Sequence, residues 1–208
     1  MEIKLLENQE KKNKIIFSLT GVDIAYANTL RRLMGFEVPV MAIEDVEFRK
    51  NSSILYDEVL AHRLGLIPLT TDLKSYDLPN ECKCKGAGCA SCQVKLTLKA
   101  SGPGMVYSSD LKSKDPAVKP VFNKIPIVKL LEGQELELEA TAVLGQGKVH
   151  SKWCPGLIFY KMPNPDKDEF IFTVESWGQL NPKEIVLKAI DVYDKQLEEF
   201  SELIKALE

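Results

Sequence analysis

Residues 181–207, NPKEIVLKAIDVYDKQLEEFSELIKAL, predict one long amphipathic helix. Asn181 can cap its first turn, and Pro182 suits the first helical position. The apolar residues then recur at alternating steps of three and four: Val186, Ala189 or Ile190, Tyr193, Leu197, Phe200, Ile204 and Leu207. About 26 residues at 1.5 Å each give a helix of roughly 40 Å, whose apolar side is longer than one small domain usually covers. We therefore expect part of this helix to pack against another chain.

The rest of the sequence reads as runs of strands with helices set apart. Residues 2–6 and 14–20 predict a β-hairpin, which is followed by a helix whose apolar residues are Ile24, Ala27, Leu30, Leu33 and Met34. A short helix is predicted from Asp57 to Gly65, and a turn at MPNPDKD, residues 162–168. Further strands are predicted at 40–49, 94–100, 135–143, 157–161 and 169–176. This order favours an α+β fold over an alternating parallel sheet.

The amino-acid composition argues against some classes of function. The 208 residues carry a formal net charge of -3, whereas a chain that binds nucleic acid through phosphates usually has a basic excess. We therefore expect little or no direct contact with nucleic acid. The first residues, MEIKLLENQEKKNK, resemble no targeting peptide, and no run of about eighteen apolar residues suggests a membrane span. These features predict a cytoplasmic protein.

Four of the five cysteines lie in the stretch ECKCKGAGCASC, residues 81–92. Cys82, Cys84, Cys89 and Cys92 form a CxC and a CxxC pair joined by a glycine-containing turn, an arrangement that lets four thiolates surround one ion. A structural zinc is the favoured interpretation, because clustered cysteines in a reducing compartment are more often metal ligands than disulfides. Four free thiols, an iron–sulfur cluster and a redox CxxC pair are the alternatives.

The remaining reactive residues indicate no catalytic chemistry. The sequence has no GxSxG, GxxxxGK[ST], HExxH or GxGxxG motif. Cys154 stands alone and is expected to be a small buried residue, while His62 and His150 lack the further ligands that a metal site needs. Arg31 and Arg32 could face solvent or lie in a protein interface. Arginine is favoured in interfaces because its guanidinium group can bind a carboxylate through two hydrogen bonds.

Several long stretches resemble one family. ANTLRRLMGFEVPVMAIEDVEF, NSSILYDEVLAHRLGLIPL, GKVHSKWCPG and ESWGQLNPKEIVLKAIDVYDKQLEEF are similar to the D subunits of archaeal RNA polymerase, the counterparts of the third-largest subunit of eukaryotic polymerase II and of the N-terminal domain of bacterial α. The resemblance covers the chain from Lys14 to Leu203. It implies a non-catalytic assembly scaffold, which pairs with a small α-like subunit, L, to form the platform for the large catalytic subunits.

The resemblance also implies a discontinuous layout. Residues 1–43 and 164–208 would form a dimerisation domain, with a sheet and two helices drawn from both parts, and residues 44–163 would form an inserted, mainly-β domain that contains the cysteine loop. The implied partner-binding residues are Ile24, Ala27, Leu30, Arg31, Arg32, Met34, Val186, Ile190, Tyr193, Leu197, Phe200 and Ile204.

Further partners follow from the same resemblance. Arg31 and Arg32 are implied to lie toward the large β-like subunit. The inserted domain, with His62, Arg63, Leu64, His150 and Trp153, is implied to help dock other subunits. Two small zinc-containing subunits are implied to assemble on the heterodimer. Some members of the family carry an additional domain with an iron–sulfur cluster near the position of MPNPDKDEF. Because so short a segment cannot house it, we expect zinc but no iron–sulfur cluster here.

The sequence is also compatible with two other functions. The cysteine loop could be the working centre of a stand-alone zinc or redox protein, which would show coloured iron or reversible thiol chemistry. An acidic enzyme with an unrecognised site is a weaker alternative, and it predicts a polar pocket in which titratable groups converge.

Overall fold

The computed structural model describes residues 1–164 and 168–207, and the chain divides into two units, each with its own four-stranded sheet. The helices are α1 Ile24–Arg32, α2 Asp57–Gly65 and α3 Pro182–Lys205. The strands, in chain order, are β1 Glu2–Gln9, β2 Lys14–Thr20, β3 Val40–Asn51, β4 Gln93–Ser101, β5 Gly104–Tyr107, β6 Lys112–Ser113, β7 Pro126–Leu130, β8 Glu135–Gly145, β9 Gly156–Lys161 and β10 Glu169–Ser176. The predicted α+β class is confirmed.

The first unit combines Met1–Val38 with Gln146–Glu208, and its sheet has the strand order β1-β2-β10-β9. All three strand pairings are antiparallel, and the hairpin predicted from residues 2–6 and 14–20 is β1 and β2. One face of the sheet forms the core of the unit, where the rings of Phe17 and Phe172 stack with their centroids 5.1 Å apart.

Both helices of this unit begin at the residues that their sequences indicate. Asp23 accepts a hydrogen bond from the backbone N–H of Tyr26 at 2.7 Å, and Asn181 accepts one from Lys183 at 3.0 Å. These side chains satisfy N–H groups that the first turn of a helix leaves unpaired. The C-terminal end of the first helix differs from the prediction, because α1 continues as a π-helical turn over Leu33–Glu37.

The second unit, Pro39–Gly145, has a sheet of order β3-β8-β4-β6 and a separate two-stranded ribbon of β5 and β7. Helix α2 packs on β3, and its Leu60 and Leu64 are fully buried among the apolar residues of the sheet. Strands β5, β6 and β7 were not predicted. They lie in a segment rich in Gly, Pro, Ser and Lys, and are too short for a clear alternation of apolar and polar residues.

The unit boundaries differ from the sequence-based ones. We expected the inserted domain to end at residue 163, but the second unit ends at Gly145. Strand β9 pairs along its length with β10, so a boundary at 163 would separate two hydrogen-bonded neighbours of one sheet. The predicted turn at residues 162–168 falls partly on residues 165–167, which lie outside the described residues. Among the described residues, no helix combines the length and the hydrophobicity needed to cross a bilayer.

Replacing Gly156 by Ala should lower the free energy of unfolding by about 1 to 3 kcal/mol, the usual cost of forcing extra atoms into a packed site. Gly156 pairs with Ser176, and a Cβ there would lie 2.1 Å from the backbone oxygen of Glu175. Gly35→Ala is the control, because its Cβ would meet only Ile158 Cδ1, at 4.0 Å. Denaturant unfolding of both variants measures the difference, and equal midpoints would contradict the prediction.

Candidate functional site

The cysteine loop forms two tight turns. The N–H of Lys85 donates to the carbonyl of Cys82 at 2.8 Å, and the N–H of Cys92 donates to the carbonyl of Cys89 at 3.1 Å. Between the turns, Gly86 and Gly88 have φ of 84° and 88°, a conformation that residues with a Cβ rarely adopt. The backbone thereby reverses and brings the CxC pair to face the CxxC pair.

The four predicted metal ligands lie together. All the Sγ atoms of Cys82, Cys84, Cys89 and Cys92 are within 4.8 Å of one another. Four of the separations are 3.5 Å (Cys82–Cys89), 3.6 Å (Cys82–Cys84), 3.5 Å (Cys84–Cys92) and 3.8 Å (Cys89–Cys92). A tetrahedron with zinc–sulfur bonds of 2.3 Å has sulfur–sulfur edges of about 3.8 Å, whereas a disulfide needs about 2.05 Å. The cysteines are therefore free thiols in the arrangement that one tetrahedral ion requires.

The thiols of the loop differ in acidity. Burial raises the pKa of the Cys84 thiol, but its hydrogen bonds with the thiols of Cys92 and Cys82 and with the backbone at Gly88 and Gly86 outweigh this effect and lower the pKa to about 6. Burial raises the pKa of Cys92 to about 12. Closely packed thiols cannot all ionise by themselves, because each thiolate repels the next. A bound divalent ion removes this obstacle, since a coordinating thiol is deprotonated outright.

The second candidate site is the exposed side of α3. Ile185 and Ala189 are fully buried where α3 packs on its own unit, but every described residue from Asp194 onward is exposed. Four large apolar residues in this part of the helix lie within an arc of about 120°, on the same side as Ile185 and Ala189. We call these four the α3 stripe: Leu197, Phe200, Leu203 and Ile204, with exposed fractions of 49%, 61%, 67% and 48%.

The other predicted partner-binding residues on α3 are less exposed. Ile190 is 41% exposed, and Val186 and Tyr193 are half-buried. Leu203 was missed because the count of alternating three- and four-residue steps took one residue per turn and passed over it. Ile3 and Leu5 on β1 were also missed. They lie opposite Leu19 and Phe17 in the sheet and, unlike them, are exposed.

The predicted interface residues of α1 need a correction. Ala27, Leu30 and Met34 are buried within this chain, so they hold α1 to its own unit and offer no surface to a partner. Helical spacing of apolar residues identifies an apolar face, but it does not show whether that face packs against the same chain or against another chain. Ile24 is exposed and remains available.

The paired arginines differ in their surroundings. Arg31 Nε and Nη2 donate to Asn28 Oδ1 at 3.1 and 2.9 Å, so this side chain is held along its own helix. Arg32 is exposed and lines a cavity of about 590 Å³, together with Glu37 and Lys148, whose side chains are paired at 2.7 Å. Arg32 is thus the arginine better placed to meet a partner's carboxylate.

His150 and Leu64 make contacts within the chain, whereas His62 is exposed and Cys154 is half-buried. His150 Nδ1 accepts a hydrogen bond from the backbone N–H of Lys152, and the His150 ring meets the edge of Trp153. His62 is exposed on α2, whereas Leu64 belongs to the core and cannot help to dock a partner. Cys154 is half-buried, less than the full burial predicted for it, and this partial burial raises the pKa of its thiol.

Comparison with known proteins supplies the family. Residues 43–155 match the family described as the RNA polymerase Rpb3/RpoA insert domain. The chain is 51% identical over 158 residues to the DNA-directed RNA polymerase subunit Rpo3 of Methanosphaera stadtmanae and 49% identical over 161 residues to that of Pyrococcus furiosus. These matches cover 74% and 77% of this chain but only 57% and 59% of the two relatives.

A more distant relative aligns along its whole length. The subunit Rpo3 of Archaeoglobus fulgidus is 34% identical over an alignment of 263 residues, which covers 100% of this chain and 99% of the relative. The alignment is longer than the 208 residues of this chain, so the relative contains residues that have no counterpart here.

Proposed function

The chain belongs to the Rpo3 family of DNA-directed RNA polymerase subunits, and from this premise we propose that it is a non-catalytic assembly scaffold of such a polymerase. Its α3 stripe pairs with a small α-like subunit, L, and the resulting heterodimer is the platform on which the large subunits assemble. The chain would act in the cytoplasm, where a polymerase of this kind reads chromosomal DNA.

The uncovered α3 stripe carries this proposal. Four large apolar side chains remain exposed on one side of a helix whose first half buries the same side in its own unit. Contiguous exposed apolar surface of this kind marks a protein interface in a folded chain. A second long amphipathic helix is the partner that best fits it, since two such helices can interdigitate along a shared apolar seam.

The cysteine loop has a supporting place in this function. A zinc ion held by Cys82, Cys84, Cys89 and Cys92 would supply a structural cross-link, because a closed set of four thiolates leaves no open position for a substrate. The heterodimer would dock the large β-like subunit, on the side of Arg31 and Arg32, and the small zinc-containing subunits, while the second unit would help to dock other subunits. The absence of an iron–sulfur cluster stays a prediction. A stand-alone metal or redox protein is not supported by the family.

Co-expression with a small α-like subunit should yield a stable 1:1 heterodimer. The chain expressed alone should self-associate or precipitate, because nothing then covers the α3 stripe. Size-exclusion chromatography with light scattering measures both states. The proposal would be contradicted if the chain alone were monodisperse and fully soluble and did not bind the small subunit. Co-expression with an unrelated helical protein of similar size serves as the control.

A further inference from the structure

The segment from Cys82 to Leu130 has an unusual charge. It contains nine lysines and two aspartates, with no arginine and no glutamate, so its net charge is +7 in a chain whose total is -3. Both aspartates are engaged within the unit. Asp115 Oδ2 accepts a hydrogen bond from the Tyr76 hydroxyl at 2.6 Å, and Asp110 Oδ2 accepts one from the Tyr107 N–H at 2.8 Å. The whole-chain charge therefore conceals a strongly basic region.

Some of these lysines follow one edge of the second unit. Lys112 lies opposite Thr97 in the pairing of β6 with β4, and the N–H of Lys114 donates to the carbonyl of Lys95 at 3.0 Å. Strand β6 is the last of its sheet, so Lys112 and Lys114, both exposed, stand along the outer edge.

This edge continues into the cysteine loop. A cavity of about 300 Å³ is lined by Lys95 of β4, by Lys114 directly after β6, and by Cys89 and Ala90 from the loop. The loop adds two more exposed lysines, Lys83 and Lys85. We call the set Lys83, Lys85, Lys112 and Lys114 the lysine ridge.

The lysine ridge is only partly compensated. The charge of Lys114 helps to lower the pKa of Glu139, and the proposed zinc centre of four thiolates would place a net charge of about -2 beside Lys83 and Lys85. Lys95 donates to Glu139, and Lys99 pairs with Glu137 at 2.9 Å, so strand β8 neutralises the inner lysines. Across residues 1–164 and 168–207, no ion pair joins a lysine of the ridge to an acidic side chain. Lysines at a short edge strand also prevent the strand from pairing with another molecule. This alternative role could explain why Lys112 and Lys114 are present, but it does not explain the two lysines in the loop.

We propose that the lysine ridge binds the phosphate backbone of duplex DNA without reading its sequence. Protein interfaces favour aromatic residues and arginine and contain few lysines, so a surface of lysines alone suits phosphate groups better than another protein. Each ammonium group is a point charge that neutralises a phosphate but does not discriminate between bases. This revises the expectation, drawn from net charge, of little contact with nucleic acid. The choice of duplex DNA rests on the proposed function.

Fluorescence anisotropy of a labelled 30-base-pair duplex, titrated with the full chain in its heterodimer, tests the proposal. About four phosphate contacts predict that the affinity falls about 150-fold between about 50 and 200 mM salt. Lys112→Glu with Lys114→Glu should reduce this loss to about 12-fold and weaken binding at the lower salt concentration. The matched control is Lys11→Glu with Lys12→Glu, an equal charge change at exposed residues of the first unit, which should bind like the unaltered chain.

Three results would overturn the proposal. The first is that the heterodimer does not bind the duplex at the lower salt concentration. The second is that the affinities of the two double variants depend equally on salt. The third is that polyglutamate, added at the same total charge as the duplex, displaces the duplex. Chromatography of the same variants keeps this test separate from the proposed function, because the ridge substitutions should leave pairing with the small α-like subunit intact. A chain that binds DNA but forms no heterodimer would refute the scaffold role alone.

Discussion

A chain carrying Leu197→Asp and Phe200→Asp should fail to pair with the small α-like subunit, with the dissociation constant raised at least about 100-fold. The few residues that dominate an interface lie near its centre and contribute about 2 kcal/mol or more each, and about 1.4 kcal/mol corresponds to a factor of ten in the dissociation constant. Placing a carboxylate in an apolar seam adds the cost of removing the charge from water. Both side chains are 49% or more exposed in this chain, so the substitutions should leave its own fold intact.

The control for this variant is Lys205→Asp. Lys205 lies on the polar side of α3, and its replacement changes the charge by two units, more than either interface substitution does. Isothermal titration of each purified variant with the small subunit measures pairing, and circular dichroism verifies that α3 still forms. Normal pairing of the double variant, or equal losses in both variants, would remove the α3 stripe from the proposed interface.

The long helix could be predicted from sequence because its signals are local and agree with one another. Asn181 caps the helix, Pro182 begins it, and the apolar spacing then persists for 24 residues. The cysteine loop was predictable for a similar reason, since all four thiols lie within eleven residues and two glycines allow the turns between them. In both cases a few neighbouring residues determine the geometry.

Features that depend on distant parts of the chain were not predictable in this way. Ala27 has the spacing of an interface residue, but the first unit covers it completely. Strand β6 has only two residues, and its pairing with β4 gives it structure that its own sequence does not indicate. The lysine ridge was not predicted for the same reason. Lys83 and Lys112 are far apart in sequence, and the net charge of the chain combines these lysines with the acidic residues elsewhere.

Replacing Cys92 by Ser should reduce the zinc content of the purified chain from about one ion to none. Cys92 is 1% exposed and immediately precedes β4, so its thiolate joins the loop to the sheet. Apparent binding free energies of structural zinc in small zinc-finger peptides are about 10 to 16 kcal/mol near pH 7, and most of this should be lost with one ligand. The sheet of the second unit keeps its own core, which confines the damage to the loop.

Metal analysis and hydrogen exchange together measure this loss. Amides that the turns protect, such as those of Lys85 and Ala87, should exchange much faster in Cys92→Ser, while the exchange rates of amides in the pairing of β3 with β8 should not change. Cys154→Ser is the control, because Cys154 belongs to the first unit and should not affect zinc. A Cys92→Ser chain with full zinc content would refute the four-thiolate site. Unaltered protein that takes up no zinc would show that the loop is held by its own hydrogen bonds, with four free thiols.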